Sequence, residues 1–347
     1  IFDSTDGGDT WETSSFLHHN DPEAVWVASS RRLVALTDDE SEFGKSVAIM
    51  RPSAGTWSTD PMLDGDGYIN LGDGHLALDP TRDDAPVVVH VRRSTFDPVS
   101  LGGSLWFDAG WRDAPGYGVP DPEALQYPLG GDPMGGIVLG DLDGDENLQV
   151  VFAKEFTPRE RLLVAWEPAT AELDVDTGLH LTADFALAQA DADDALEVAF
   201  LDTLGSLRVL DWNGGDLPGF PRVLNLGGGG WISAAQVTGG TTEDVVVAGG
   251  TRIWVIGSDG SDRPGFPWIA PPAGGEVNGR VALGDVDADG QMELVASFTG
   301  GVAVISHDGQ LELIIGQGEA ANGSPSLSDL DGDLDLEIAF PRSDGTV

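Results

Sequence analysis

The chain has 347 residues, with 59 acidic side chains against 17 basic ones, a formal charge of −42 and no cysteine. Such a surface repels phosphate backbones and anionic membranes, which excludes nucleic-acid binding and charge-driven membrane docking. The missing thiols exclude a disulfide scaffold, a thiolate metal site and a cysteine nucleophile.

With 41% hydrophobic residues the chain can still bury a core, and no apolar run reaches the roughly 20 residues that span a bilayer. Mutual repulsion of so many aspartates calls for relief, from divalent cations locally or from a high-salt setting globally. The chain begins at Ile1 without Met or a signal peptide, so it is expected to be a mature or excised piece of a longer polypeptide.

In chain order, STDGGDTW at 4–11 is a Gly- and Asp-rich turn. PEAVWVASSRRLVALTDD at 22–39 reads as two short strands, with Glu23 before the first. ALDPTRDDAPVVVHV at 77–91 offers a second start near Pro86. From there on the pattern becomes regular. A small apolar strand, an Asp-rich turn, an acid or amide and a strongly apolar strand recur. The copies are GDLDGDENLQVVFA from Gly140, AQADADDALEVAFL from Ala188, AAQVTGGTTEDVVVAG from Ala234, GDVDADGQMELVAS from Gly284 and SDLDGDLDLEIAFP from Ser328.

The residue before each apolar strand serves as an anchor: Gln149, Glu197, Asp244, Glu293 and Glu337, at spacings of 48, 47, 49 and 44. A further strand follows four of them (162–166, 207–212, 253–257 and 302–306), and two copies end in PGFP, at 218–221 and 264–267.

A unit of about 47 residues holding four short strands is the size of one propeller blade. A β-sandwich does not demand a fixed period. The expected fold is therefore all-β: a single β-propeller over 1–347, with seven blades of four-stranded antiparallel sheet. The anchors fall near 23, 86, 149, 197, 244, 293 and 337. Blades in 1–130 are divergent, with loop insertions, and those in 131–347 are regular. An eighth blade around 43–75 stays open. Laying Thr346–Val347 and Ile1–Phe2 on Ser206–Val209 aligns Asp6–Asp9 with Asn213–Asp216, so both termini are expected to share one blade and close the ring.

The copy at 285–293 reads DVDADGQME. Oxygen ligands at positions 1, 3, 5 and 9, with Gly at 6 and a backbone carbonyl at 7, suit a hard cation such as Ca²⁺. The strongest set is Asp285, Asp287, Asp289 and Glu293. Asp329, Asp331, Asp333 and Glu337 follow. Asp141, Asp143 and Asp145 end in Gln149 rather than an acid. Asp191, Asp193 and Glu197 have Gln189 at position 1. The copy at 236–244 keeps only Asp244 and is expected to be empty.

The D-x-D-x-D-G-x-x-[DE]-apolar pattern at this interval resembles the FG-GAP/VCBS repeats of integrin-α-type propellers and their bacterial secreted relatives, whose x-P-G-F-P tails are also similar. The resemblance covers 135–347. It implies Ca²⁺ in the loops within blades, an extracellular or cell-surface setting, and a role in adhesion or recognition beside other domains of the same polypeptide. STDGGDTW resembles the Asp-box of BNR, sialidase-like propellers, where it is a structural hairpin away from the active site.

A recognition module would hold a protein or carbohydrate ligand on a propeller face. Trp231 follows GGGG and Trp268 follows PGFP, which makes these two of the ten tryptophans the candidates for exposed ligand platforms. The alternative is a carbohydrate-active enzyme, either a polysaccharide lyase or a sialidase-like glycosidase. With 59 acids, paired carboxylates occur by chance and discriminate nothing. No G-x-S-x-G elbow is present. The three tyrosines and the Arg31-Arg32 and Arg92-Arg93 pairs are too sparse to mark a sialidase site, and His18-His19 would face opposite ways on a strand. The leading expectation is a non-enzymatic, Ca²⁺-stabilised module.

Overall fold

The computed structural model describes strand segments between residues 2 and 128 and, with gaps at 146–148, 158–159, 168–171, 227–228, 272–274, 317–320, 322 and 330–335, residues 132–342. Side chains are described for 138–145, 149 and 151 and, outside those gaps, from Asp184 onward. Among the described residues every regular element is a strand, and no helix is long and apolar enough to cross a membrane.

The chain divides into two compact units. In the first, β1 (Phe2–Asp3) pairs with β2 (Glu12–Thr13); residues 4–11, on which the Asp-box resemblance falls, lie outside the described residues. One antiparallel sheet is built by β3 (Ala24–Val27), β4 (Arg32–Asp39), β5 (Gly44–Ser53) and β6 (Thr56–Pro61) in that order. Residues 44–61 thus belong to the sheet that starts after Glu23 and do not open one of their own. A second sheet holds β7 (His90–Val91), β8 (Ser104–Trp106) and β9 (Gln126–Pro128). Three more strands pair consecutively: β10 (Asp132–Gly140), β11 (Gln149–Thr157) and β12 (Glu160–Glu167). Pro86 and the proposed C-terminal closing segment lie outside the described residues.

The second unit runs from His180 with residues 141–146 added. Its sheets repeat one plan. β13 (Glu172–Ala188), β14 (Glu197–Asp202), β15 (Ser206–Leu210) and β16 (Arg222–Val223) pair in order. So do β17 (Trp231–Ala235), β18 (Asp244–Gly249), β19 (Arg252–Ile256) and β20 (Trp268–Ile269). The next four are β21 (Ala282–Gly284), β22 (Glu293–Phe298), β23 (Gly301–Ile305) and β24 (Leu311–Ile315). Finally β25 (Ser326–Ser328) pairs with β26 (Glu337–Ala339).

Each of the five anchors is the first residue of its strand and pairs with the last residue of the strand before it. The pairs are Gly140–Gln149, Ala188–Glu197, Ala235–Asp244, Gly284–Glu293 and Ser328–Glu337. The Asp-rich segments are therefore hairpin loops held at one register.

The run Val245–Ala248 is unbroken because its strand is buried on both faces. Val245 and Val247 pack with Leu201, Leu207 and Ile232 toward the preceding sheet, and Val246 and Ala248 pack with Leu294 and Ala296 toward the next. Beyond, Val295, Val302 and Val304 meet Leu327 and Ile338. Each fully buried Val, Leu or Ile contributes about 1.5–3 kcal/mol, so this layered stack supplies most of the unit's stability.

The PGFP tails join neighbouring sheets. Gly265 has φ +87°, and a Cβ there would stand 1.7 Å from the Asp308 carbonyl oxygen in the turn of the next sheet. Gly219 repeats this against the Asp259 carbonyl, with a Cβ distance of 2.1 Å. Backbone meets backbone at both places, which only glycine permits. Arg222 adds an ion pair to Asp262 at 2.6 Å.

Candidate metal centres

Three hairpin loops each bring three carboxylates to one point. Asp141, Asp143 and Asp145 form one group, Asp191, Asp193 and Glu197 a second, and Asp285, Asp287 and Asp289 a third. In each group one oxygen per residue lies within 4.8 Å of the others. Two oxygens on the same Ca²⁺ at about 2.4 Å cannot be more than about 4.8 Å apart, so the spacing fits that ion. The donors are all hard oxygens, which also fits.

The loop backbone sets this geometry. Asp285 accepts the Asp289 N–H at 3.1 Å and the Gly290 N–H at 2.8 Å, and Asp289 accepts the Gln291 N–H at 2.8 Å. Gly290, at position 6, has φ +86° as the turn requires. Position 4 is also left-handed, in Ala288 at +59° and in Gly144 at +75°. In the first loop Asp141 likewise accepts the Gly144 N–H at 2.7 Å.

The position-9 acids do something the spacing did not reveal. Glu293 is 1% exposed, and its Oε2 accepts the Val286 N–H at 2.9 Å. Glu197 is buried too and accepts the Ala190 N–H at 2.6 Å. Both carboxylates brace position 2 of the loop. Only Glu197 also joins its aspartates as a group of three, while Glu293 stands behind the trio 285, 287 and 289. Gln149 is fully buried. At position 1 of the second loop, Gln189 donates to the Asp193 carbonyl, which holds the loop where the acid is missing. In the last copy Asp329 and Glu337 are half-buried, and Asp331 and Asp333 lie outside the described residues.

Burial, reinforced by Asp191 and Asp193, pushes the Glu197 carboxyl up to about 7. Burial likewise raises Glu293, with Asp287, Glu312 and Asp289 adding to it. Without a cation the fold keeps a proton on Glu197 that the unfolded chain, near 4.5, has already released. Rising pH through that window therefore erodes the stability of the cation-free fold. In chelator, the melting transition should fall as pH is raised from 5 to 7.5, a trend that calorimetric scans at constant salt would check.

The copy at 236–244 gives an internal contrast. Asp244 is 1% exposed, and no acids surround it at positions 1, 3 or 5. Its Oδ2 accepts the Thr238 N–H and hydroxyl at 3.0 and 2.8 Å, and its Oδ1 accepts the Arg263 Nε–H at 2.6 Å. A guanidinium thus supplies the positive charge in this sheet. Counting from the turn glycines Gly260 and Gly309, the residue matching Arg263 in the next sheet is Glu312. Burial raises the Glu312 carboxyl, as do Asp287, Asp289 and Asp308. The position is cationic in the sheet whose loop has lost its acids, anionic in the sheet of the 285–293 loop, and the apolar Leu217 in the sheet of the 191–197 loop. Aligning the copies on the turn glycine would have exposed this; aligning on the Asp loops did not.

Removing one partner of a buried ion pair costs about 3–5 kcal/mol. Arg263→Met should therefore destabilise the chain by that order in urea melts, and added Ca²⁺ should not restore it.

The two tryptophan candidates separate. Trp231 is 37% exposed at the start of β17. Trp268, expected to be exposed, is 6% exposed and packs in the core with Phe266, Ile253 and Phe298. The PGFP turn folds β20 back onto β19, pairing Trp268 with Ile253, and the indole fills the space between sheets.

No family model and no curated protein matches the sequence. Solved structures do. The chain is similar to BBS1N in complex with ARL6DN, soaked with lead, at a TM-score of 0.55 and 12% identity, over 93% of this chain and 88% of that one. It is similar to the Dos1 propeller at a TM-score of 0.51 and 13% identity, over 91% of this chain and 74% of that one. The fold is a β-propeller. The V. cholerae biofilm matrix protein Bap1 gives a TM-score of 0.46 and 16% identity over 77% of this chain. The chain spans 44% of that structure's length.

Proposed function

We propose that this propeller is a calcium-stabilised recognition module of an extracellular or cell-surface protein, of the kind that FG-GAP/VCBS repeats form. The observation that carries this is the convergence of three carboxylates in each of three hairpin loops. A cation in each loop would neutralise the carboxylates and pin the first two strands of its sheet. The resemblance to secreted propellers supports the location, and the large acidic excess suits a surface held by divalent ions. The structurally similar BBS1N is held in complex with ARL6DN; a protein or carbohydrate ligand on a propeller face is the matching role here, alongside other domains of the same polypeptide. Thermal melting with Ca²⁺ and with chelator tests the reading. A higher transition with the ion supports it, and identical transitions refute it.

A further inference from the structure

The Asp-rich loops and turns of the second unit gather at one end of its strands. Loops after β13 and β21, with Asp191, Asp193, Asp287 and Asp289, share that end with the turns after β19 and β23, which carry Asp259 and Asp308. At the opposite end, the turns 203–205, 250–251 and 299–300 hold no charged residue of their own; Asp202 and Arg252 flank the first two. One register position there is occupied by Asp184, Trp231, Arg280 and Ser324. Each lies four residues before the strand residue that pairs with an anchor.

Asp184, Arg280 and Ser324 are tied together, and the backbone next to Trp231 joins them, so the links run across four sheets. Asp184 Oδ2 accepts the Ile232 N–H at 3.1 Å and the Arg280 Nε–H at 2.9 Å, and Arg280 Nη2 donates to the other oxygen of Asp184. The Arg280 backbone N–H donates to the Ser324 hydroxyl at 2.9 Å. Trp231, next to the Ile232 N–H that Asp184 accepts, is 37% exposed, and the Arg280 side chain is 41% exposed.

We propose that this position is a binding site for an uncharged glycan. The inference rests on the reading of the chain as a recognition module, and names the ligand class and the residues. A flat, rigid indole matches the apolar face of a sugar ring. At the same register position of the other sheets, a fixed guanidinium–carboxylate pair and a serine hydroxyl offer donors and acceptors for ring hydroxyls. Asp184 cancels the charge of Arg280, so the site has no net charge with which to hold an acidic sugar. The whole chain, at −42, repels one.

The test uses the full chain in Ca²⁺ with dextran, laminarin, xylan and galactomannan as neutral probes, and alginate and hyaluronan as acidic ones. Saturable binding to at least one neutral polysaccharide is expected. Trp231→Ala should weaken it at least tenfold and Ser324→Ala several-fold, with the wild-type melting temperature kept, while Trp231→Phe should hold it within a few-fold. Should Trp231→Ala fail to fold, Trp231→Phe and Ser324→Ala carry the comparison. The proposal is overturned by no neutral binding, by preference for the acidic polymers, by retention of a protein partner alone, or by binding that these substitutions leave unchanged. Ca²⁺-dependent melting without glycan binding sinks this proposal alone. Glycan binding with melting indifferent to Ca²⁺ sinks the calcium reading alone.

Discussion

In millimolar Ca²⁺ the chain should melt about 10 °C higher than in chelator, at one fixed and high ionic strength. A site filled at 100 times its dissociation constant adds about 2.7 kcal/mol, so the three groups together add about 8 kcal/mol. With an unfolding entropy of roughly 2.1 cal/mol/K per residue, that becomes a shift of about 10 °C for a chain of 347 residues. The physical source is plain. In each loop three carboxylates lie within 4.8 Å of one another, and bare charges at that distance repel. A bound cation would turn that repulsion into cross-links between neighbouring strands. Fixed salt matters because the −42 surface is itself screened by NaCl. Asn at Asp285, Asp287 and Asp289 together should remove about one third of the shift.

Gly265→Ala should be among the most damaging single changes in the second unit. A methyl there would fall 1.7 Å from the Asp308 carbonyl oxygen, on a backbone at φ +87°. Two costs add: the left-handed strain of a non-glycine residue and the forced separation of two backbones. The neighbour is a carbonyl, so no side chain can swing away. A loss of about 3–5 kcal/mol is expected, measured by urea denaturation, against less than about 0.5 kcal/mol for a change at an exposed turn residue such as Leu204. Gly219→Ala, facing the Asp259 carbonyl at 2.1 Å, should follow at a similar size. A near-neutral result at both would mean that the sheets do not lock through their tails.

Much of the second unit was legible in the sequence because one period repeats. The anchor residues marked strand starts to the residue, since an acid at a hairpin's end and an apolar run behind it leave little choice. The alternate spacing of Asp285, Asp287 and Asp289 also predicted their convergence, because a tight loop points alternate side chains inward. What escaped was the part set by neighbours in space. Glu293 looked like an ordinary ligand, yet the hairpin buries it and turns it onto the loop backbone, outside the trio of aspartates; Glu197 keeps its place with Asp191 and Asp193 but also braces the backbone. Trp268 looked exposed because it follows a turn, but the turn carries it into the gap between sheets. Arg263 and Arg280 each reach a carboxylate far along the chain, Asp244 and Asp184, and no local pattern encodes that. In the first unit the strands of 44–61 pair with those of 24–39, which the irregular spacing there concealed.

The most direct measurement is anomalous diffraction from crystals of the chain grown with Ca²⁺. The account predicts an ion about 2.3–2.6 Å from carboxylate oxygens of Asp285, Asp287 and Asp289, further ions in the Asp141 and Asp191 loops, and none beside Asp244, where Arg263 already stands. An empty 285–289 loop in millimolar Ca²⁺, or an ion seated against Asp244, would contradict it.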